Sequence, residues 1–594
     1  MTRFFTFLLA AWCLMAYPAG AQLSPGNFAA STLLAGLFDD YWEARARLFP
    51  LMATAQGDNR YNDRLPNDQT RAFRQQQVRF YRRYLNDLLN IDRARLRADD
   101  KLSYDIFQYE MRSRLEGLRL NTWMMPFAQF YSLPTTLGQL GAGTGAQPFR
   151  TVRDYDNWLA RVGRFPVWAD SAIGNFRQGA RTGVVLPRAL VLKMVPQLQA
   201  QLSADATKSL FYGPITRLPA SFSAADRTRL AAAYQQAIAT QLVPTYRKLA
   251  EFMEAEYLPR ARATAGLADV PGGPEMYRYA VRQMTTTDRP PEAIYQTGLA
   301  EVKRIRAEME AVKKKTGYRG SLPGFFNSLA NSSKYMPYKS PEEVLRAFRG
   351  IQGRVAPGLP RLFGLAPKSP FEIRQTEAFR AATASAEYSR GTPDGARPGI
   401  FYVPIPDATR FNVTSGMESL FLHEAIPGHH YQLSLQQENT ALPKFRRFGS
   451  VPAFSEGWAL YCESLGRELG LYTDPYQRIG ALGDEMHRAL RLVVDVGLHA
   501  KGLSREQAID YLMANEPISE QAATAEIERY MALPGQALAY KTGALKLQEL
   551  RARYEKQLGP RFSLRDFHDE ILAGGSMPLA ILERRLDSWA ARQR

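Results

Sequence analysis

Apolar residues recur with helical spacing along almost the whole chain, and this periodicity constrains the fold more than any other feature. From about residue 28 to 265, long Arg/Leu/Ala/Gln/Tyr-rich segments such as 71–97, 100–120 and 224–264 are joined by short Pro/Gly loops. No fixed-period repeat is present, which argues against a solenoid. The string Val270-Pro271-Gly272-Gly273-Pro274 interrupts the pattern, and residues 285–292 read as a cap leading into a helix over 292–315. The strand signals are short: 385–389 and 399–405 flank the turn-rich stretch 390–398 and read as a hairpin. Helices then resume to the C-terminus. At 594 residues the chain is too long for one compact core. The expectation is therefore a mainly α, multi-helical protein of two lobes, a helical lobe over 22–280 and a second over 281–594 that contains the small hairpin.

Lys and Arg number 76 against 58 Asp and Glu, a formal net charge of +18. The basic residues are scattered, with no dense tract and no zinc-finger or other nucleic-acid-binding signature, so nucleic acid is excluded as a partner and weak association with anionic envelope surfaces remains. The first 21 residues combine Arg3, an apolar run from Phe4 to Tyr17 and the small-residue ending Ala19-Gly20-Ala21. This is the pattern of a secretory signal peptide cleaved after Ala21, which implies a periplasmic or secreted protein. Neither this run nor any later one reaches the roughly 20 apolar residues of a transmembrane helix. Cys13 leaves with the leader, so Cys462 is the only cysteine of the mature chain and no internal disulfide can form. Trp12 is too bulky for the position that precedes a lipoprotein cysteine, which places lipid anchoring second.

All six histidines (His423, His429, His430, His487, His499 and His568) follow residue 422, so metal or acid–base chemistry is expected in the second half. The densest part is Leu422-His423-Glu424-Ala425-Ile426-Pro427-Gly428-His429-His430. A zinc peptidase places two histidines one helical turn apart, with a Glu beside the first to deprotonate water. Here the second histidine is displaced: on an unbroken helix, position i+6 lies about 240° around the axis and position i+7 about 10.5 Å along it. Pro427 forces a kink or bulge, and Gly428 tolerates the dihedrals that follow. Treating Ile426 and Pro427 as a two-residue bulge restores the HExxH pattern and selects His423 and His429 as metal ligands, with His430 as the alternative. Residues 415–418 read as a capping box for this helix. A third ligand is offered by Glu456 in Phe454-Ser455-Glu456-Gly457-Trp458-Ala459-Leu460-Tyr461-Cys462-Glu463. Glu463, seven residues on along the same face, would orient a ligand histidine, and Cys462 points away from that face.

These motifs, together with RLVVDVGLH (491–499), PGQALAYKTG (534–543), GSMPLAILE (575–583) and RPGIFYVP (397–404), resemble a widespread bacterial family known only as a domain of unknown function. That family is similar to the gluzincin metallopeptidases, and the likeness covers nearly all of the mature chain. The resemblance implies a zincin-like fold with the β-hairpin beside the active-site helix. It puts one Zn2+ on His423, His429 and Glu456, makes Glu424 the base, and implies a peptide substrate. It also calls for an oxyanion donor, for which Tyr540 is the first choice, with His499 and Lys541 behind it. Asp495 and His499, at i and i+4, can hydrogen-bond along a helix, and His487 and His568 read as structural. The strand 399–405 would be the edge that receives a peptide by backbone pairing, and Arg397 and Arg529 could hold a substrate carboxylate. Two other classes stay open: a metal-dependent hydrolase of a non-peptide or modified amide, and a non-catalytic binding protein of the same fold.

Overall fold

The computed structural model describes residues 25–377, 385–393, 395 and 397–593; the signal peptide, its cleavage point and Cys13 lie outside them. The protein is mainly α-helical with one small sheet. The helices that build and support the site are α1 (Pro25–Leu48), α2 (Ala98–Gly117), α3 (Gly273–Thr285), α4 (Pro291–Lys315), α5 (Pro341–Val355), α6 (Met417–Glu424), α7 (His429–Glu438), α8 (Pro452–Ser464), α9 (Pro475–Ala500), α10 (Glu520–Ala532), α11 (Ala539–Leu558) and α12 (Leu564–Ala573). The helix expected over 292–315 is therefore present, but the preceding Thr/Asp run does not cap it. Its N-cap is Pro290, and Thr286 sits in a left-handed conformation and accepts the Leu579 N–H at 2.9 Å. No helix among the described residues is long and apolar enough to cross a membrane.

The expected hairpin forms, and it carries a third strand that the sequence reading missed. β1 (Phe371–Gln375), β2 (Glu387–Ser389) and β3 (Gly399–Val403) are ordered β1-β3-β2. β3 pairs parallel with β1, Ile373 opposite Phe401, and antiparallel with β2, Ser389 opposite Ile400. This corrects the expected role of 399–405. β3 is the central strand, its backbone groups are engaged on both sides, and it has no free edge to offer a peptide. Its burial explains its almost uninterrupted apolar sequence, Gly-Ile-Phe-Tyr-Val.

Two large apolar cores hold the molecule together, and neither stops at residue 280. One joins Trp158, Phe165 and Tyr246 to Ile305 and Met309 of α4, Leu490 and Val494 of α9 and Ile527 of α10. The other joins Leu34 and Phe38 of α1 and Phe107 of α2 to Phe348 of α5, Phe401 of β3, Phe421 of α6, Trp458 of α8 and Leu550 of α11. Glycines set the closest helix crossings: a Cβ on Gly298 of α4 would lie 2.8 Å from Leu492 and Val493 of α9, and one on Gly543 of α11 would lie 1.9 Å from the Ala453 carbonyl of α8.

His568 of α12 is fully buried in the second core. Its Nδ1 lies 2.9 Å from the Leu362 carbonyl, which can only accept, so Nδ1 carries the proton and Nε2 accepts from the Tyr461 hydroxyl at 2.8 Å. Burial pushes its pKa down from 6.5 to about 3. The unfolded chain therefore takes up this proton first, and stability is lost as pH falls from 6.5 towards 3, by up to about 1.4 kcal/mol per pH unit from this group. His568→Gln should be less stable than the parent at pH 7 but lose less on acidification. Urea titrations at pH 7, 6 and 5 check this, and parallel pH slopes in the two proteins would refute it.

Candidate metal centre

α6 ends on His423 and Glu424, and its start differs from the expected capping box. Gly416 occupies the N-cap with φ 78°, a left-handed conformation that favours glycine. Ser415 Oγ donates instead to the Asn412 carbonyl at 2.6 Å, while Glu418 accepts the Tyr472 N–H at 2.7 Å and pairs with Arg354. Beyond Glu424 the chain does not bulge and continue as expected. α6 stops, and a separate helix, α7, starts at His429. Pro427 has no N–H to donate, and its carbonyl accepts from Trp458 Nε1 at 3.0 Å and, more weakly, from Cys462 Sγ at 3.5 Å. Both donors stand on α8, so the helix that carries Glu456 also pins the break. Gly428 is required by close approach: a Cβ there would lie 2.0 Å from the His423 carbonyl oxygen and 2.3 Å from that of Leu422.

The break turns the second helix so that His429 returns to His423. One ligand atom each from His423, His429 and Glu456 falls within a 4.8 Å cluster. Glu456 Oε2 is 3.8 Å from His423 Nε2 and 3.6 Å from His429 Nε2, too far for hydrogen bonds, and the two rings are nearly perpendicular. Two ligand atoms bound to one tetrahedral zinc at about 2.1 Å each stand about 3.4 Å apart, so this spacing suits a shared ion. Glu463 Oε1 lies 2.7 Å from His423 Nδ1. The carboxylate accepts, so Nδ1 donates to it, and Nε2 faces Glu456. Burial alone would lower the His423 pKa, but the Glu456 and Glu463 carboxylates outweigh it and push it up to about 10. Burial would raise the Glu456 pKa, and the two imidazoles instead hold it well below the usual carboxylate range. His429 Nδ1 is buried without a partner among the described residues.

His430 is not part of the cluster. Its Nδ1 lies 3.0 Å from the Tyr388 hydroxyl of β2 and its ring packs against Phe371 of β1, so it docks α7 on the sheet. Burial pushes its pKa down to about 4. Cys462 is likewise outside the cluster, spent on the Pro427 carbonyl.

Tyr540 stands at the start of α11, three residues before Gly543, whose Cα meets the site where Gly457 would carry a Cβ, next to Glu456. The helix crossing thus brings the neighbourhoods of Tyr540 and Glu456 together. The guanidinium carbons of Arg488 and Arg491 lie 5.0 and 4.7 Å from the centre of the Tyr540 ring. Lys541 is engaged in an ion-pair network, 2.8 Å from both Glu301 and Glu485. The expected Asp495–His499 hydrogen bond is absent. Asp495 accepts from the Tyr277 hydroxyl at 2.7 Å and from the Gly535 N–H, while His499 Nε2 donates to the Tyr530 carbonyl at 3.0 Å. Each side chain therefore ties α9 to a different neighbour. Arg529 pairs with Glu526, His487 sits between Glu516 and Glu526, and Arg397 is exposed in the turn between β2 and β3. The sequence reading missed Asp484 of α9, whose pKa is raised to about 7 by burial and by Glu463, and which accepts from Ser419 Oγ. It also missed Arg488 and Arg491, although their i, i+3 spacing places both on one helical face.

The fold recurs in solved structures. A protein from Colwellia psychrerythraea described as a "putative lipoprotein" is 27% identical, with a TM-score of 0.84 over 95% of this chain and 100% of that one. A "putative lipoprotein of unknown function" from Shewanella oneidensis, 19% identical, shares the fold with a TM-score of 0.73 over 93% of this chain and 99% of that one. No curated protein matches the chain. Residues 50–586 match the family described as "Bacterial protein of unknown function (DUF885)". The chain therefore belongs to this bacterial DUF885 family.

Proposed function

We propose that the protein is an exported zinc-dependent metallopeptidase with a gluzincin-type site in a two-lobed zincin-like fold. The observation that carries this reading is the convergence of His423, His429 and Glu456 across a helix break, with Glu424 directly following the first ligand. Zinc, when bound there, supplies Lewis acidity and lowers the pKa of water. Glu424 takes the proton of the attacking water and delivers it to the leaving amine. Glu463 fixes the His423 ring, and the Tyr540 hydroxyl donates to the oxygen on which negative charge develops. Export is supported by the leader sequence and by the lipoprotein description of the two similar proteins.

Metal analysis tests the ligand set. Protein purified without chelator should hold close to one zinc per chain, and His423→Ala, His429→Ala and Glu456→Ala should each lose it. His430→Ala should keep zinc, because that ring serves the sheet. Retention in all three ligand variants, or loss in His430→Ala alone, would overturn the assignment.

A further inference from the structure

Arg488 and Arg491 lie one turn apart on α9, their guanidinium carbons 5.0 and 4.7 Å from the centre of the Tyr540 ring. Arg491 is 5% exposed. It donates Nε to the Tyr530 hydroxyl at 2.9 Å and Nη2 to Glu526 at 3.2 Å, but its buried Nη1 has no partner among the described residues. Arg488 has a buried Nε without an acceptor and makes no hydrogen bond or ion pair among the described residues. Leaving a buried cationic N–H unmatched is costly, so two of them on neighbouring arginines that share the Tyr540 ring mark a place where an acceptor belongs.

The acids around them are already engaged. Glu526 is shared by Arg491, Arg529, His487 and the Tyr530 hydroxyl, and Glu485 is taken by Lys541 and Arg304. The pair also adjoins the metal centre by two routes. Tyr540 lies next to the α8–α11 crossing at Glu456–Gly457, and Asp484, one turn before Arg488, interacts electrostatically with both Arg488 and His423. Arginine is the side chain best matched to a carboxylate, through paired, charge-assisted N–H donors.

We infer that Arg488 and Arg491 form a carboxylate cradle beside Tyr540, which selects substrates that present either a free C-terminal carboxylate or an acidic side chain close to the scissile bond. The inference rests on the metallopeptidase reading for its chemistry, but carboxylate binding requires no turnover, and this separates the two. Fluorescein-labelled pentapeptide mixtures are the probes: neutral free acids, neutral C-terminal amides, and amides containing one Asp or Glu. Anisotropy is read on full-length, metal-loaded protein carrying Glu424→Gln, so that probes persist.

Carboxylate-bearing probes should bind about tenfold or more tighter than neutral amides. Arg488→Gln should bring them to the level of the amides, and Arg488→Lys should restore part of the difference. Arg488 is only partly buried, so its replacement tests the cradle even where Arg491 variants fail to fold. Tight binding of the free acids alone assigns the cradle to the C-terminus, and tight binding of the acidic amides assigns it to a side chain. Equal binding of all probes, including none, or a preference that survives Arg488→Gln, overturns the inference. Equal cleavage of neutral amides, free acids and acidic amides by the parent protein would overturn the cradle and leave the peptidase reading standing. A binding preference without any cleavage would do the reverse.

Discussion

Glu424→Gln is expected to keep zinc and fold while lowering kcat by about 10²-fold or more, the usual contribution of a positioned general base. The substitution conserves size, and Glu424 is not among the three clustered ligand groups, so metal content should be unchanged. Tyr540→Phe should add a second, independent loss of roughly 10²–10³-fold, because the hydroxyl acts on charge that exists only in the transition state. Both losses should appear in kcat more than in KM. Steady-state kinetics on a confirmed peptide substrate, with zinc measured on the same preparations, decides the matter. A Glu424→Gln enzyme that turns over at the parent rate would remove the proposed mechanism whatever metal it holds.

Gly428→Ala should do the opposite, attacking structure before chemistry. Its added methyl would sit 2.0 Å from the His423 carbonyl oxygen, at the join between the helices that carry the two proposed histidine ligands. Backbone on both sides is pinned, by the α6 hydrogen bonds and by Trp458 and Cys462 on the Pro427 carbonyl. Relief requires α7 to move, which takes His429 away from Glu456. A loss of about 3 kcal/mol or more in urea unfolding is expected, together with loss of zinc. A variant as stable and as zinc-replete as the parent would show that the break between α6 and α7 is more pliable than its contacts indicate.

Periodicity alone made the helical class legible, and residue chemistry alone pointed to His423, Glu424, His429 and Glu456. The break at Pro427 was legible as a disruption but not as two separate helices, because the anchoring donors, Trp458 and Cys462, lie more than 30 positions away and nothing local announces them. β1 was missed because Phe371–Gln375 alternates charged and apolar residues over only five positions, and its partner β3 lies 28 residues on. The expectation that 399–405 forms an edge strand followed from that omission. Asp495 and His499 were paired on helical spacing, yet each found a stronger partner on another element, Tyr277 and the Tyr530 carbonyl. Short-range spacing reports which face a side chain shares, whereas burial decides what it bonds.

The second apolar core unites residues 30–111 with residues 344–590, and α6 and α8 both lie in it. Segments far apart in sequence therefore pack together in the core that holds α6 and α8. During synthesis the last of these contacts, from Leu586 to Ala590, is also the last to become available. A precursor threaded through a membrane in an unfolded state would cross without an assembled metal site. Zinc bound at the proposed site would then come from the pool on the far side, and the compartment in which the chain folds, rather than the one in which it is made, would determine whether it is loaded. Zinc content and protease resistance of a precursor arrested before export read this directly.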